Sequence, residues 1–160
     1  MRTSAAFLSL LLASLSSCTK QPHIVTALQK LADTPSKFVL YSIDPGKLAH
    51  DESIQTETVF RGYDILGHAQ ITDANEQRAL LRALARGASQ NDSTIAACFN
   101  PRHALHIEQG GRSIDFVICF ECLQVRTFGF SADREFLTSR SPQSTFDDSL
   151  RRHQIPLAPQ

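Results

Sequence analysis

The sequence carries no excess of either charge: 16 lysines and arginines stand against 16 aspartates and glutamates over 160 residues. That balance argues against a nucleic-acid binder, because proteins that track phosphates carry a basic excess or a concentrated basic patch. Tryptophan is absent, and no apolar run reaches the roughly 20 residues that a membrane-spanning helix needs. Also missing are a P-loop, a G-x-S-x-G elbow, an H-E-x-x-H pair and a dinucleotide fingerprint. What is present, 42% hydrophobic residues spread along a chain of this length, is the profile of one globular domain.

The first eighteen residues, MRTSAAFLSLLLASLSSC, open with a positive charge at Arg2, run through an apolar stretch from Ala5 to Leu15, and end in small residues before a cysteine. This is the pattern of an export signal, here residues 1–17. Leu15-Ser16-Ser17-Cys18 resembles the lipobox of bacterial lipoproteins. The resemblance implies cleavage just before Cys18 and attachment of a diacylglyceryl group to its sulfur. An ordinary secretory signal that leaves Cys18 as a mature cysteine is the alternative, followed by an uncleaved anchor. With acyl chains on Cys18, each buried methylene adding about 0.8 kcal/mol, the domain would be anchored to a membrane without spanning it. The expected location is then the bacterial cell envelope, facing the periplasm. Thr19, standing where an aspartate would retain a lipoprotein at the inner membrane, favours the outer one.

Residues 18–35 read as the lipidated N-terminus and a tether, and residues 36–160 as a single folded domain. Ile24, Leu28 and Leu31 fall at helical spacing, which fits either a short docking helix or a tether with a transient helix. KFVLYSI predicts a strand stopped by Asp44-Pro45-Gly46. ETVFRGYDILGHAQI predicts a second extended stretch, bent or bulged at Gly62 and Gly67. DANEQRALLRALARGA predicts the main amphipathic helix, with Asp73 and Glu76 as a capping box, Leu80, Leu81 and Leu84 inward, and Gly87 as the stop. Arg78, Arg82 and Arg86 line its opposite face, placed either for anionic lipid head groups or simply for water. STIAACF, HALHIE, SIDFVICF and CLQVRTFGF predict antiparallel strands, with Gln109-Gly110-Gly111 as a hairpin turn and Asn100-Pro101 as a second reversal. STFDDSLRRH predicts a short C-terminal helix with Phe146 and Leu150 inward. The fold class expected is α+β, a mostly antiparallel sheet with one main amphipathic helix and a short C-terminal helix.

Chemistry concentrates between residues 98 and 122, where Cys98, His103, Cys119 and Cys122 are spaced C-x4-H-x15-C-x2-C. A Cys3His zinc or copper site uses this vocabulary. Across a hairpin at Asn100-Pro101, Cys98 and His103 would face each other with Cβ atoms about 5 Å apart. If residues 119 to 122 stay extended, however, the two Cα atoms lie about 10 Å apart with side chains on opposite faces. A disulfide needs Cα atoms within about 7 Å. Nothing in VICFECLQV announces a bend. In an oxidising compartment the economical structure is therefore a disulfide from Cys98 to Cys119 or Cys122, with one thiol buried. A thiol-redox role is less well placed, since a reactive C-x-x-C normally begins a helix. His106 reads as a surface strand residue, His68 as a loop residue, and Glu121 as a solvent-facing acid or a partner to the cluster.

The pattern C-F-x-P-R-H, then a hairpin, then I-C-F-E-C and a closing I-P-L-A-P, resembles one that recurs in a set of bacterial proteins of unassigned function. It covers residues 56–159 and implies a shared fold without an activity. Together these readings point to a membrane-anchored envelope lipoprotein with a non-catalytic binding or structural domain braced by cysteines. Its partners would be the membrane and an envelope protein, with no nucleic acid. The competing reading is a metal-binding or thiol-redox protein, with zinc as the candidate cofactor.

Overall fold

The computed structural model describes residues 21–34, 37–48 and 51–159. The signal segment and the lipidation candidate Cys18 lie outside the described residues. The elements follow in the order α1 (Pro22–Ala32), β1 (Lys37–Leu48), β2 (Val59–Phe60), β3 (Tyr63–Gln70), α2 (Ala74–Gln90), β4 (His103–Gln109), β5 (Arg112–Cys119), β6 (Gln124–Phe128), β7 (Glu135–Leu137) and α3 (Gln143–Arg152). The seven strands form one curled sheet in the order β2-β3-β1-β4-β5-β6-β7, and every neighbouring pair is antiparallel. The protein is thus α+β with an antiparallel sheet.

Alternation along the strands sorts side chains to two faces. Phe38, Leu40, Leu105, Ile107, Phe116 and Ile118 point to the face covered by the three helices, and with Ile24, Leu28, Leu80, Leu84, Phe146 and Leu150 they make the main core. Their odd-numbered neighbours on β1 and β5, and even-numbered ones on β4, turn the other way. Ile43, Ala104 and Val117 join Phe60 and Tyr63 in a smaller cluster there.

Helix α1 is 11 residues long, too short to be stable alone. It holds because Ile24 and Leu28 are fully buried, each burial stabilising by about 2 kcal/mol, and because it packs along α2. The side chain of Gln21 also clamps the start of the helix to β7, donating to the Leu137 carbonyl and accepting from the Leu137 N–H, both at 2.9 Å. Of the two arrangements open for Ile24, Leu28 and Leu31, the chain adopts the docked helix.

Helix α2 starts where expected. Asp73 accepts a hydrogen bond from the Asn75 N–H at 2.9 Å. The capping box does not close, because the Glu76 carboxylate turns to α3 instead. Nor does Gly87 stop the helix, which continues to Gln90. The glycine serves close approach: a Cβ there would lie 2.5 Å from Pro142 Cγ and overlap Thr138. On the basic face, Arg82 pairs with Asp33 at 3.2 Å and Arg78 donates to Asn75 at 2.9 Å.

The remaining differences are local. Strand β1 runs through Asp44-Pro45-Gly46 with a register shift instead of ending there. Gly110 and Gly111 do make the β4–β5 turn, both at positive φ. STIAACF forms neither helix nor strand. Asn91 holds this stretch in loop conformation: its Oδ1 accepts from the Ser93 N–H at 2.7 Å, and its Nδ2 donates to the carbonyls of Thr94 and Thr138. The C-terminal helix runs from Gln143 to Arg152, close to the expected stretch, with Phe146 and Leu150 fully buried.

Candidate functional site

Strand β5 delivers Cys119 at its C-terminal end, and residues 120–123 then turn the chain into β6. Leu123 closes the turn at φ 61, a conformation that glycine usually supplies. The reversal brings the Cα atoms of Cys119 and Cys122 to 5.1 Å, and the two form a disulfide. Both are buried. The Cys122 N–H donates to Cys119 Sγ at 3.1 Å, across the turn.

Segment 96–102 lies alongside this turn. The Ala96 N–H donates to the Cys122 carbonyl at 3.3 Å and the Arg102 N–H to the Ile118 carbonyl at 3.3 Å. The chain does not reverse at Asn100-Pro101. Instead the Asn100 N–H donates to Cys122 Sγ at 3.1 Å, and its carbonyl oxygen lies 3.3 Å from Cys119 Sγ. Cys98 is a free, exposed thiol, and its Sγ sits 3.8 Å from Cys122 Sγ.

All three cysteines of the motif are thus brought together, yet in an arrangement different from each one expected. The disulfide from Cys98 is corrected to Cys119–Cys122, because the extended geometry assumed for residues 119 to 122 gives way to a turn. The Cys3His metal set of Cys98, His103, Cys119 and Cys122 is not assembled either. His103 pairs with Ile118 across β4 and β5, so its ring points to the helix face while the next residue, Cys119, points to the other. There His103 lies against Phe120 and Phe146, and its Nε2 meets Asp147 of α3 at 2.8 Å. Among the described residues, no group of three or more His, Cys, Asp or Glu is arranged to hold a metal ion.

Beside the turn lies a recess of about 150 Å³ lined by Asn100, Arg102, His103, Phe120, Glu121, Arg140 and Gln143. Arg102 spans it, donating to Glu121 at 2.7 Å and to the Pro159 carbonyl at 2.7 Å. The hydrogen bond and charge of Arg102 hold the Glu121 carboxyl below its ordinary range. Glu121 is therefore the exposed partner of an arginine. A broader groove opens toward the start of β5, between that strand and α1, with Leu31, Ile114 and Phe130 on its walls.

One polar cluster was not anticipated. Asp115 is buried in the middle of apolar β5. It accepts from Arg61 Nε at 2.8 Å, forms an ion pair with the same guanidinium, and meets His106 Nδ1 at 2.6 Å. His106 Nε2 continues to Glu108, which Lys37 holds at 2.7 Å. Tyr41 adjoins this cluster, and burial first, then the charges of Asp115 and Glu108, raises its phenol above the ordinary value. The one signal in the sequence is an aspartate interrupting SIDFVIC, which falls directly opposite His106 once the strands are aligned. His106 is thus a network residue, and His68 lies in β3 against the Tyr41 ring.

Comparison with family models, with curated proteins and with solved structures finds no match to this chain.

Proposed function

We propose that the chain is a lipid-anchored protein of the bacterial cell envelope, facing the periplasm, whose folded domain serves a binding or structural role and is braced by the Cys119–Cys122 disulfide. The observation that carries this reading is the pairing of an export-type leader ending in Leu15-Ser16-Ser17-Cys18 with a buried disulfide in the domain behind it. Disulfides persist where the compartment is oxidising, which is where such a leader would deliver the chain. Among the described residues no helix is long and apolar enough to cross a membrane, and the lipobox-like ending at Cys18 supports attachment there. Thr19 at the following position favours the outer membrane.

The anchor would hold the domain close. Gln21 is pinned to β7, so only Thr19 and Lys20 separate it from Cys18. Three residue steps reach about 10 Å at full extension. The ends of α1 and β7 would then rest near the bilayer surface, and the groove between α1 and β5 would open beside it, available to an envelope protein.

The test is metabolic labelling with a radiolabelled fatty acid in a bacterial host. The wild-type chain should carry label and run at the size of a cleaved product, and Cys18→Ala should remain uncleaved and unlabelled. Label of equal intensity on Cys18→Ala would sink the anchor.

A further inference from the structure

We propose that Cys98, Cys119 and Cys122 form a thiol–disulfide exchange centre, in which the exposed Cys98 thiol opens a route to a disulfide that is itself shut away from solvent. Cys119 and Cys122 are 1% and 0% exposed, whereas Cys98 is exposed with its Sγ 3.8 Å from Cys122 Sγ. A closing movement of roughly 2 Å turns that contact into a bond. Residues 91–102 contain no helix or strand, so the segment carrying Cys98 can make such a movement without breaking a ladder. The Ala96 and Asn100 hydrogen bonds to Cys122 keep it in place.

The step is an isomerisation. Cys98, deprotonated in solvent, attacks Cys122 Sγ. The Cys98–Cys122 bond forms as the Cys119–Cys122 bond breaks, and the bonding pair leaves on Cys119 Sγ, which takes up a proton equivalent to the one Cys98 lost. One disulfide and one thiol exist before and after, and no electrons enter or leave. The leaving sulfur is prepared for its charge, since the Cys122 N–H already donates to it at 3.1 Å. Once protonated, the Cys119 S–H finds an acceptor in the Asn100 carbonyl oxygen, 3.3 Å away.

The two isomers differ in access. A small external thiol such as glutathione cannot reach the buried Cys119–Cys122 bond in the folded domain. In the Cys98–Cys122 isomer it attacks the exposed Cys98 Sγ, forming a mixed disulfide there and releasing Cys122 as a thiolate, and a second glutathione then resolves the mixed disulfide. The centre would therefore be read and reset from solvent through one residue. This holds whether or not the chain is lipidated.

Two measurements on the purified full chain test it. The folded protein is held at mildly alkaline pH, quenched in acid, denatured with excess N-ethylmaleimide, and mapped as non-reduced peptides. Cys119 should carry label in one fraction of chains and Cys98 in the rest. In parallel, the folded protein is treated with excess reduced glutathione, and loss of the disulfide should be slower by at least about tenfold in Cys98→Ser, and equally in Cys98→Ala, than in the wild type. Label confined to Cys98 throughout, or reduction of both Cys98 variants as fast as wild type, would overturn the proposal.

Discussion

Asp115 shows how much one residue can carry in this fold. It stands between Ile114 and Phe116, almost wholly out of water, and its charge is tolerated because Arg61 and His106 both reach it. Asp115→Ala would leave the Arg61 guanidinium, itself half-hidden against the Phe128 ring at 4.3 Å, without its carboxylate. Breaking a buried pair by removing one partner costs about 3 to 5 kcal/mol, and urea unfolding of Asp115→Ala should show a loss of that size. A loss under about 1 kcal/mol would mean that water already screens the pair. Reading this residue from sequence fails for a definite reason. Its partners come from β4 and from the turn before β3, and only the strand register brings them together. The cysteines fail differently: their positions are plain, but the turn that joins Cys119 to Cys122 places Leu123, not glycine, at positive φ.

At the scale of elements, the link between α2 and α3 runs through Glu76. Its carboxylate accepts from Ser149 and Arg152 at 2.7 Å each and meets His153 at 3.1 Å. Burial alone would raise this carboxyl, but the hydrogen bonds from Ser149, Arg152 and His153 outweigh it and bring the pKa from 4.5 down to about 2. A carboxyl whose folded pKa lies below its unfolded one stabilises fully above the unfolded value and loses that contribution as pH falls toward the folded one. The α2–α3 link should thus be intact above about pH 4.5 and vanish progressively toward about pH 2. Glu76→Gln should unfold at lower urea concentration than wild type at neutral pH, and the two should converge in acid. A constant gap across that window would mean that the Glu76 charge contributes nothing to the link. Elements with strong periodicity or glycine turns, such as α2 and the β4–β5 hairpin, were legible. STIAACF was not, because its β-branched and apolar residues suggest a strand while the Asn91 side chain holds the backbone in a loop. The short β7 has three residues and owes its form to pairing with β6, so no local pattern announces it.

For the whole molecule, the antiparallel α+β plan follows from strand alternation and one clear amphipathic helix, both visible in the sequence. The joining of α1 to the core was open, since its three apolar residues suit a docked or a transient helix equally, and only packing against α2 decides. The disulfide adds little to the total. It closes a loop of four residues, for which chain entropy gives about 2 kcal/mol, whereas the core between sheet and helices buries more than a dozen large side chains. A brace of that size can be exchanged without unfolding the domain that holds it. The state of the three sulfurs therefore decides between a disulfide and a metal centre, and counting free thiols and metal per chain on one sample of the purified full chain reports it. One titratable thiol from the cluster, one disulfide and no stoichiometric metal are expected. Three titratable thiols released together with about one zinc per chain would contradict this, and would restore the metal centre that the placement of His103 on the opposite face of the sheet, against Asp147, argues against.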